Sequence, residues 1–192
     1  VVDAEMRRRA KVINFGILYG MGVNALRSNL GEGTTREEAQ QFLSAYFNTF
    51  TRLAEYLEET KDFARKHGYT EPLFLRRRHF PGITSGAPFI RASAERMAIN
   101  APIQGTEGDI MRIAMIELDR YFTENKLEND VKLLLQVHDE LVFEVRTTKL
   151  EAVLPTLQKI MQDVFVGHDT KEVPIVVDLK EGDNWAEMKL HV

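Results

Sequence analysis

The stretch RRRAKVINFGILYG, residues 7–20, sets Arg7, Lys11, Phe15 and Tyr19 at strict four-residue intervals. On a helix, residues four apart drift by about 40° and rise about 6 Å per step, so these side chains share one gently spiralling face. Two cations followed by two rings suit a ligand that is anionic at one end and flat at the other. A nucleoside triphosphate is such a ligand: Arg forks onto a phosphate, Lys brings a mobile charge, and the rings cover sugar and base. Three arginines and a lysine in the first turns also oppose the helix dipole, at about 0.3–1 kcal/mol each near the terminus, a cost that an anionic ligand would offset. The competing reading puts Phe15 and Tyr19 in the core, with the arginines lying over apolar surface. GILYGMG lacks the spacing of a Walker phosphate loop, so Gly16, Gly20 and Gly22 read as sites of close packing and helix termination.

A second locus is QVHDELVFEV, residues 136–145. Apolar runs on both sides of His138-Asp139 predict a hairpin of two buried strands. His-Asp is a poor choice for a two-residue turn, which favours Asn-Gly or Gly-X. Asp139 and Glu140 set two carboxylates at the tip, an oxygen-rich locus suited to a hard cation such as Mg2+. A solvated turn without function is the alternative. Neighbours on a strand point to opposite faces, which argues against His138 and Asp139 as an orienting pair for general-base work. The other histidines, His67, His79, His168 and His191, show no zinc-ligand spacing.

A third pattern is Arg96, Asn100 and Gln104 in RASAERMAINAPIQGTEGDI, again four apart. A polar stripe of this kind is usually solvated. Here Met97, Ala98, Ile99 and Ala101 surround it and leave little room for a wet face. Asn and Gln offer donors and acceptors that suit minor-groove edges, where contacts sense duplex shape more than base sequence.

The elements that position these residues are largely helical. A first helix is expected from Asp3, its N-cap, to about Tyr19, ending at Gly20-Met21-Gly22. VNALRSNL gives a short helical piece, and Thr34-Thr35-Arg36-Glu37 has a capping-box pattern for the next helix. Helical periodicity continues to Gly68 as a C-terminal stop. YTEPLFLRRRHFPGI reads as an irregular hairpin and TSGAPF as a loop. A helix from about Ile90 is expected to break between Pro102 and Gly108 and to resume as DIMRIAMIELDRYF. After the HDE hairpin come an amphipathic helix kinked at Pro155 and a final strand, VPIVVDLKEG. A soft boundary near residues 82–90 separates a helical, basic portion from an α+β portion.

The charge distribution fits two loci. The net charge of −4 hides a split: residues 1–100 carry 15 Lys/Arg against 11 Asp/Glu, and residues 101–192 carry 10 against 18. A basic half could hold a polyanion and an acidic half divalent cations, although ordinary solvated surface explains the split as well. The 192 residues contain no cysteine, which excludes disulfide scaffolds and thiolate metal sites. No apolar run approaches the roughly 20 residues needed to span a bilayer. The chain starts Val-Val-Asp rather than with Met, and reads as a fragment of something longer.

RRRAKVINFGILYG resembles motif B of the family A DNA polymerases, R-x3-K-x3-F-x3-Y-G. QVHDELVFEV resembles motif C of the same family, and ERMAINAPIQGTEGDI is similar to the segment between them. Order and intervening lengths fit over essentially the whole chain. The resemblance implies an α+β fold: a fingers portion over residues 1–84, and a partial palm over 85–192 with a small antiparallel sheet carrying the HDE hairpin. It implies that Arg7 and Lys11 bind the triphosphate of an incoming dNTP, that Lys11 assists the pyrophosphate leaving group, that Phe15 packs on the sugar and disfavours dideoxynucleotides, and that Tyr19 lies near the templating position. Arg96, Asn100, Gln104 and His138 would track a DNA primer–template. Asp139 would be a metal ligand with Glu140 in support, in two-metal Mg2+ chemistry.

The family's motif A, an Asp-Tyr-Ser stretch with the other metal aspartate, is absent from these 192 residues. The expectation is therefore a fragment of a cytoplasmic, nucleoid-associated polymerase that needs its missing N-terminal part, is inactive alone, and self-associates through exposed apolar surface. The competing readings are a non-catalytic nucleic-acid-binding module and a metal-dependent hydrolase. A pure binder has no use for Asp139, and a hydrolase needs more carboxylates or histidines than the chain assembles.

Overall fold

Residues 2–31, 33–168, 170 and 172–191 are described by a computed structural model, with Glu5 and Arg9 described by backbone alone. Helix α1 (Ala4–Leu18) begins where the sequence predicts, because the Asp3 carboxylate accepts a hydrogen bond from the Met6 amide at 2.7 Å. It ends at Tyr19, followed by Gly20 at φ +81°, the left-handed conformation that favours glycine. Ile13 and Ile17 face inward against Leu26 of α2 (Val23–Leu30), supported by Leu43, Tyr46 and Phe47 of α3 (Arg36–Thr49).

The capping box of α3 sits one residue later than Thr34 and Glu37 suggest. Thr35 accepts from the Glu38 amide at 3.1 Å, and Glu38 accepts from the Thr35 amide at 2.7 Å. Both pairs satisfy the pattern, but the Thr34 amide is taken by the Gly31 carbonyl in the preceding turn. Gly22 is likewise corrected. It begins α2 as its N-cap, and a Cβ there would meet nothing. Phe50 breaks the helical run, and α4 (Thr51–His67) ends on Gly68 at φ +79°. Strands β1 (Tyr69–Thr70) and β2 (Arg78–His79) pair antiparallel as the short hairpin.

The expected break near Pro102 does not occur. Helix α5 (Pro88–Glu124) runs 37 residues without interruption. Pro102 has no amide to donate to the carbonyl of Ala98, one turn earlier. The buried Thr70 hydroxyl of β1 donates to that carbonyl instead, at 3.4 Å. Gly105 lets the same segment lie close, since a Cβ there would stand 3.1 Å from Pro72.

Two compact units result, Val1–Gly105 and Thr106–Val192, and α5 contributes to both. Besides the cluster around Ile17, the first unit has a core of Ala64, Phe80, Ile83, Ala94, Ala98 and Ala101. In the second, β3 (Val131–Val137) and β4 (Glu140–Val145) form an antiparallel pair with a bulge between Leu133 and Leu135. Leu118, Phe122 and Val131 pack with Val153 and Leu157 of α6 (Leu150–Gln162), and Leu141, Phe143 and Val145 close over them.

The architecture is α+β, as expected, but the strands are not buried on both faces. Among the described residues the sheet has two strands, and Leu133, Leu134 and Leu135 are about half exposed. Val131, Leu141, Phe143 and Val145 pack on helices, while these three leucines stay open to solvent. The final strand also shrinks. Only Lys180–Glu181 (β5) pairs, with Lys189–Leu190 (β6), and residues 173–179 have no strand partner among the described residues.

Candidate functional site

The four-spaced stripe of α1 is separated cleanly from its core face. Ile13 lies two residues beyond Lys11, or 200° around the helix, so burying Ile13 and Ile17 turns the stripe outward. Phe15 stays 43% exposed and Tyr19 37%. That answers the competing reading of the sequence: neither ring is core. The rings stack on each other with centroids 6.0 Å apart and planes at 27°, and the Lys11 ammonium stands 5.8 Å from the Phe15 centroid. Arg7 and Lys11 enter no ion pair among the described residues. The stripe is a solvent-facing ridge running from cation to ring.

An open cleft of about 500 Å³ borders this ridge, with Lys11, Asn14, Phe15, Phe42 and Tyr46 in its walls. The Tyr46 hydroxyl donates to the Asn14 side-chain oxygen, tying α3 to α1. Partial burial pushes the Tyr46 hydroxyl above its ordinary pKa.

Within the same unit, the end of the ridge meets the polar stripe of α5. A Cβ on Gly20 would stand 3.0 Å from Cγ of Arg96 and 3.3 Å from Cδ1 of Ile99. Gly20 therefore combines a left-handed backbone with a close approach that a side chain would obstruct. Arg96 and Gln104 are exposed and Asn100 is half-buried. The Asn100 side-chain oxygen is shielded from solvent and lacks a hydrogen-bond donor, an acceptor left open on that stripe. The structure thus brings Arg7, Lys11, Phe15, Tyr19 and Arg96, Asn100, Gln104 into one unit.

In the second unit the β3–β4 turn consists of two residues, with Val137 opposite Glu140. His138 takes φ +53°, a conformation costly for a residue with a Cβ. The Gln136 side chain donates to the His138 carbonyl at 3.3 Å. Asp139 and Glu140 are exposed, and neither is in an ion pair among the described residues. Their oxygens are donors of the kind a hard divalent cation takes when substrate phosphates complete its shell. No third Asp, Glu or His converges with them among the described residues. The tip suits part of such a site rather than a whole one.

Comparison with known proteins agrees with these features. The sequence model for DNA polymerase family A matches residues 1–187. DNA polymerase I of Rhizobium leguminosarum is 42% identical over 186 residues, 97% of this chain and 18% of that protein. The thermostable DNA polymerase I of Thermus aquaticus is 40% identical over 188 residues, 98% of this chain and 21% of that one. The chain thus spans about a fifth of the length of these relatives. Among solved structures, the POL domain of Pol1 from M. smegmatis, in complex with DNA primer-template and dNTP, superposes with a TM-score of 0.79 and 37% identity. That match covers 85% of this chain and 28% of the other.

Proposed function

The chain belongs to DNA polymerase family A, and from that premise we propose that it forms part of a template-directed polymerase adding deoxynucleotides to a primer 3′ end. The observation that carries the reading is the outward ridge of α1, where Arg7 and Lys11 enter no ion pair among the described residues and the stacked rings of Phe15 and Tyr19 stay partly exposed. Residues 1–84 form the fingers portion and 85–192 part of the palm. The partners are a DNA primer–template and a dNTP, in the cytoplasm at the nucleoid.

Arg7 grips the triphosphate through its planar fork. Lys11, one turn on, places its ammonium on the β- and γ-phosphates. As the primer 3′-oxygen bonds to the α-phosphorus, the bond to the bridging oxygen breaks, and Lys11 offsets the charge that gathers on pyrophosphate. Phe15 packs on the sugar, and Tyr19 marks the end of the nucleotide position beside Arg96. Arg96, Asn100 and Gln104 follow the minor groove, where the open acceptor of Asn100 fits a base-edge donor or a bound water. His138 holds the primer end. Asp139, with Glu140 in support, would hold Mg2+, which when bound supplies a Lewis acid to the reacting oxygens.

The tip brings only part of the ligand set, and no Asp-Tyr-Ser segment stands in these residues. The chain alone therefore does not extend a primer. Extension by the purified chain, above the level of its Asp139→Ala variant, would contradict this. A longer chain that adds an Asp-Tyr-Ser segment is expected to restore it. Asp139 also weighs against a non-catalytic binding module, which has no use for a carboxylate that would hold a hard cation. The exposed leucines of β3 are expected to drive self-association, to be checked by a sedimentation coefficient that rises with concentration in the wild type and less so in Leu134→Lys.

A further inference from the structure

Away from both loci, three side chains from distant parts of the second unit converge. Glu151 lies in the first turn of α6, Glu181 on β5, and His191 directly after β6. Each offers one ligand atom, and the three atoms lie within 4.8 Å of one another. The backbone holds them there: β5 and β6 pair Glu181 with Lys189, and the His191 amide donates to the Leu179 carbonyl at 2.9 Å.

The contact within this group is unusual for a simple ion pair. His191 Nδ1 stands 3.3 Å from Glu181 Oε2, yet that oxygen is shut off from solvent and receives no hydrogen bond. A donor nitrogen would be expected to turn its proton onto such an oxygen, since a shielded carboxylate oxygen without a donor is costly. Instead the two atoms sit side by side, as ligands of one centre do. A tetrahedral ion holding nitrogen and oxygen at about 2.0–2.2 Å sets its ligand atoms roughly 3.3–3.5 Å apart. The observed 3.3 Å falls in that range. Two carboxylates are also brought together with no Lys or Arg pairing with either among the described residues. Glu151 is exposed and Glu181 and His191 are half-buried, so a cation can reach the group from solvent.

We propose that Glu151, Glu181 and His191 form a binding site for a zinc-class divalent cation. One imidazole nitrogen and two carboxylates favour a borderline transition metal over Mg2+, which prefers oxygen alone. Water fills the remaining position. The ion fastens the C-terminal hairpin to the start of α6, joining residues 30 and 40 positions apart in the chain. A cross-link of that span stabilises the segment that carries it. The site is independent of the polymerase reading, since it uses none of the residues proposed for nucleotide or DNA.

The test is zinc chloride titrated into the 192-residue chain against a chromophoric chelator, with amide hydrogen exchange at Glu181 and Leu190 as a second readout. The wild type is expected to bind one equivalent that slows exchange at both amides. Glu181→Gln, which keeps the side-chain shape, and His191→Ala are each expected to weaken binding at least roughly ten-fold, since even outer-shell partners of a metal site cost that much. Asp139→Ala is expected to leave the equivalent intact. Absence of saturable zinc binding, retention of it in Glu181→Gln and His191→Ala, or loss of it in Asp139→Ala would each overturn the proposal.

Discussion

The α1 ridge and the β3–β4 tip carry the chain's proposed chemistry on opposite kinds of scaffold. On α1 the work is divided by angle. Ile13 and Ile17 secure the helix, and Arg7, Lys11, Phe15 and Tyr19 stand on the other side with ordinary helical backbone. On the hairpin no such division exists. His138 and Asp139 are the turn itself, and His138 takes a backbone angle that glycine would take more readily. A helix can present ligands without distorting its backbone, because one face suffices for packing. A two-residue turn has no spare positions, so a functional residue there displaces the residue the turn prefers.

That comparison yields three substitutions, in falling order of effect. In a polymerase chain that joins these residues to an Asp-Tyr-Ser segment, Lys11→Ala is expected to lower primer extension by roughly 10²–10³-fold, the scale of losing one transition-state charge partner. Its folding stability should not change, because Lys11 packs into no core. Single-turnover extension and a urea melt check both halves. Asp3→Ala removes the cap of α1 and is expected to cost about 1 kcal/mol in the same melt, loosening the ridge without touching it. His138→Gly separates the two roles at the tip. It is expected to raise stability by up to about 1 kcal/mol while extension falls. A destabilised His138→Gly variant would show that the turn is not strained, and the contrast with α1 would disappear.

The same contrast explains what could be read from the sequence. Helix α1 is legible from Asp3 to Tyr19 because cap, periodicity and stop are all local signals. The HDE turn is legible because apolar runs flank it. What failed depends on partners remote in sequence. The continuity of α5 through Pro102 is accompanied by a hydrogen bond from the Thr70 hydroxyl of another segment to the Ala98 carbonyl, and nothing in the helix itself announces that. The strands of the hairpin look buried because Leu133, Leu134 and Leu135 are apolar, but their burial depends on neighbours, and the two-stranded sheet leaves all three about half exposed. The pairing of Lys180–Glu181 with Lys189–Leu190 is short, and the convergence of Glu151, Glu181 and His191 has no sequence spacing to reveal it. The stacked geometry of Phe15 and Tyr19, by contrast, follows directly from four-residue spacing.

The central claim is that the α1 ridge holds a nucleoside triphosphate by position and not merely by positive charge. Titrating a fluorescent dNTP into the 192-residue chain, its Lys11→Ala variant and its Arg36→Ala variant tests this most directly, since Arg36 is likewise an exposed cation, at the start of α3. Weaker binding in Lys11→Ala alone, by roughly ten-fold for a charge-assisted contact, is the result expected. Equal losses in both variants, or none in either, would contradict it.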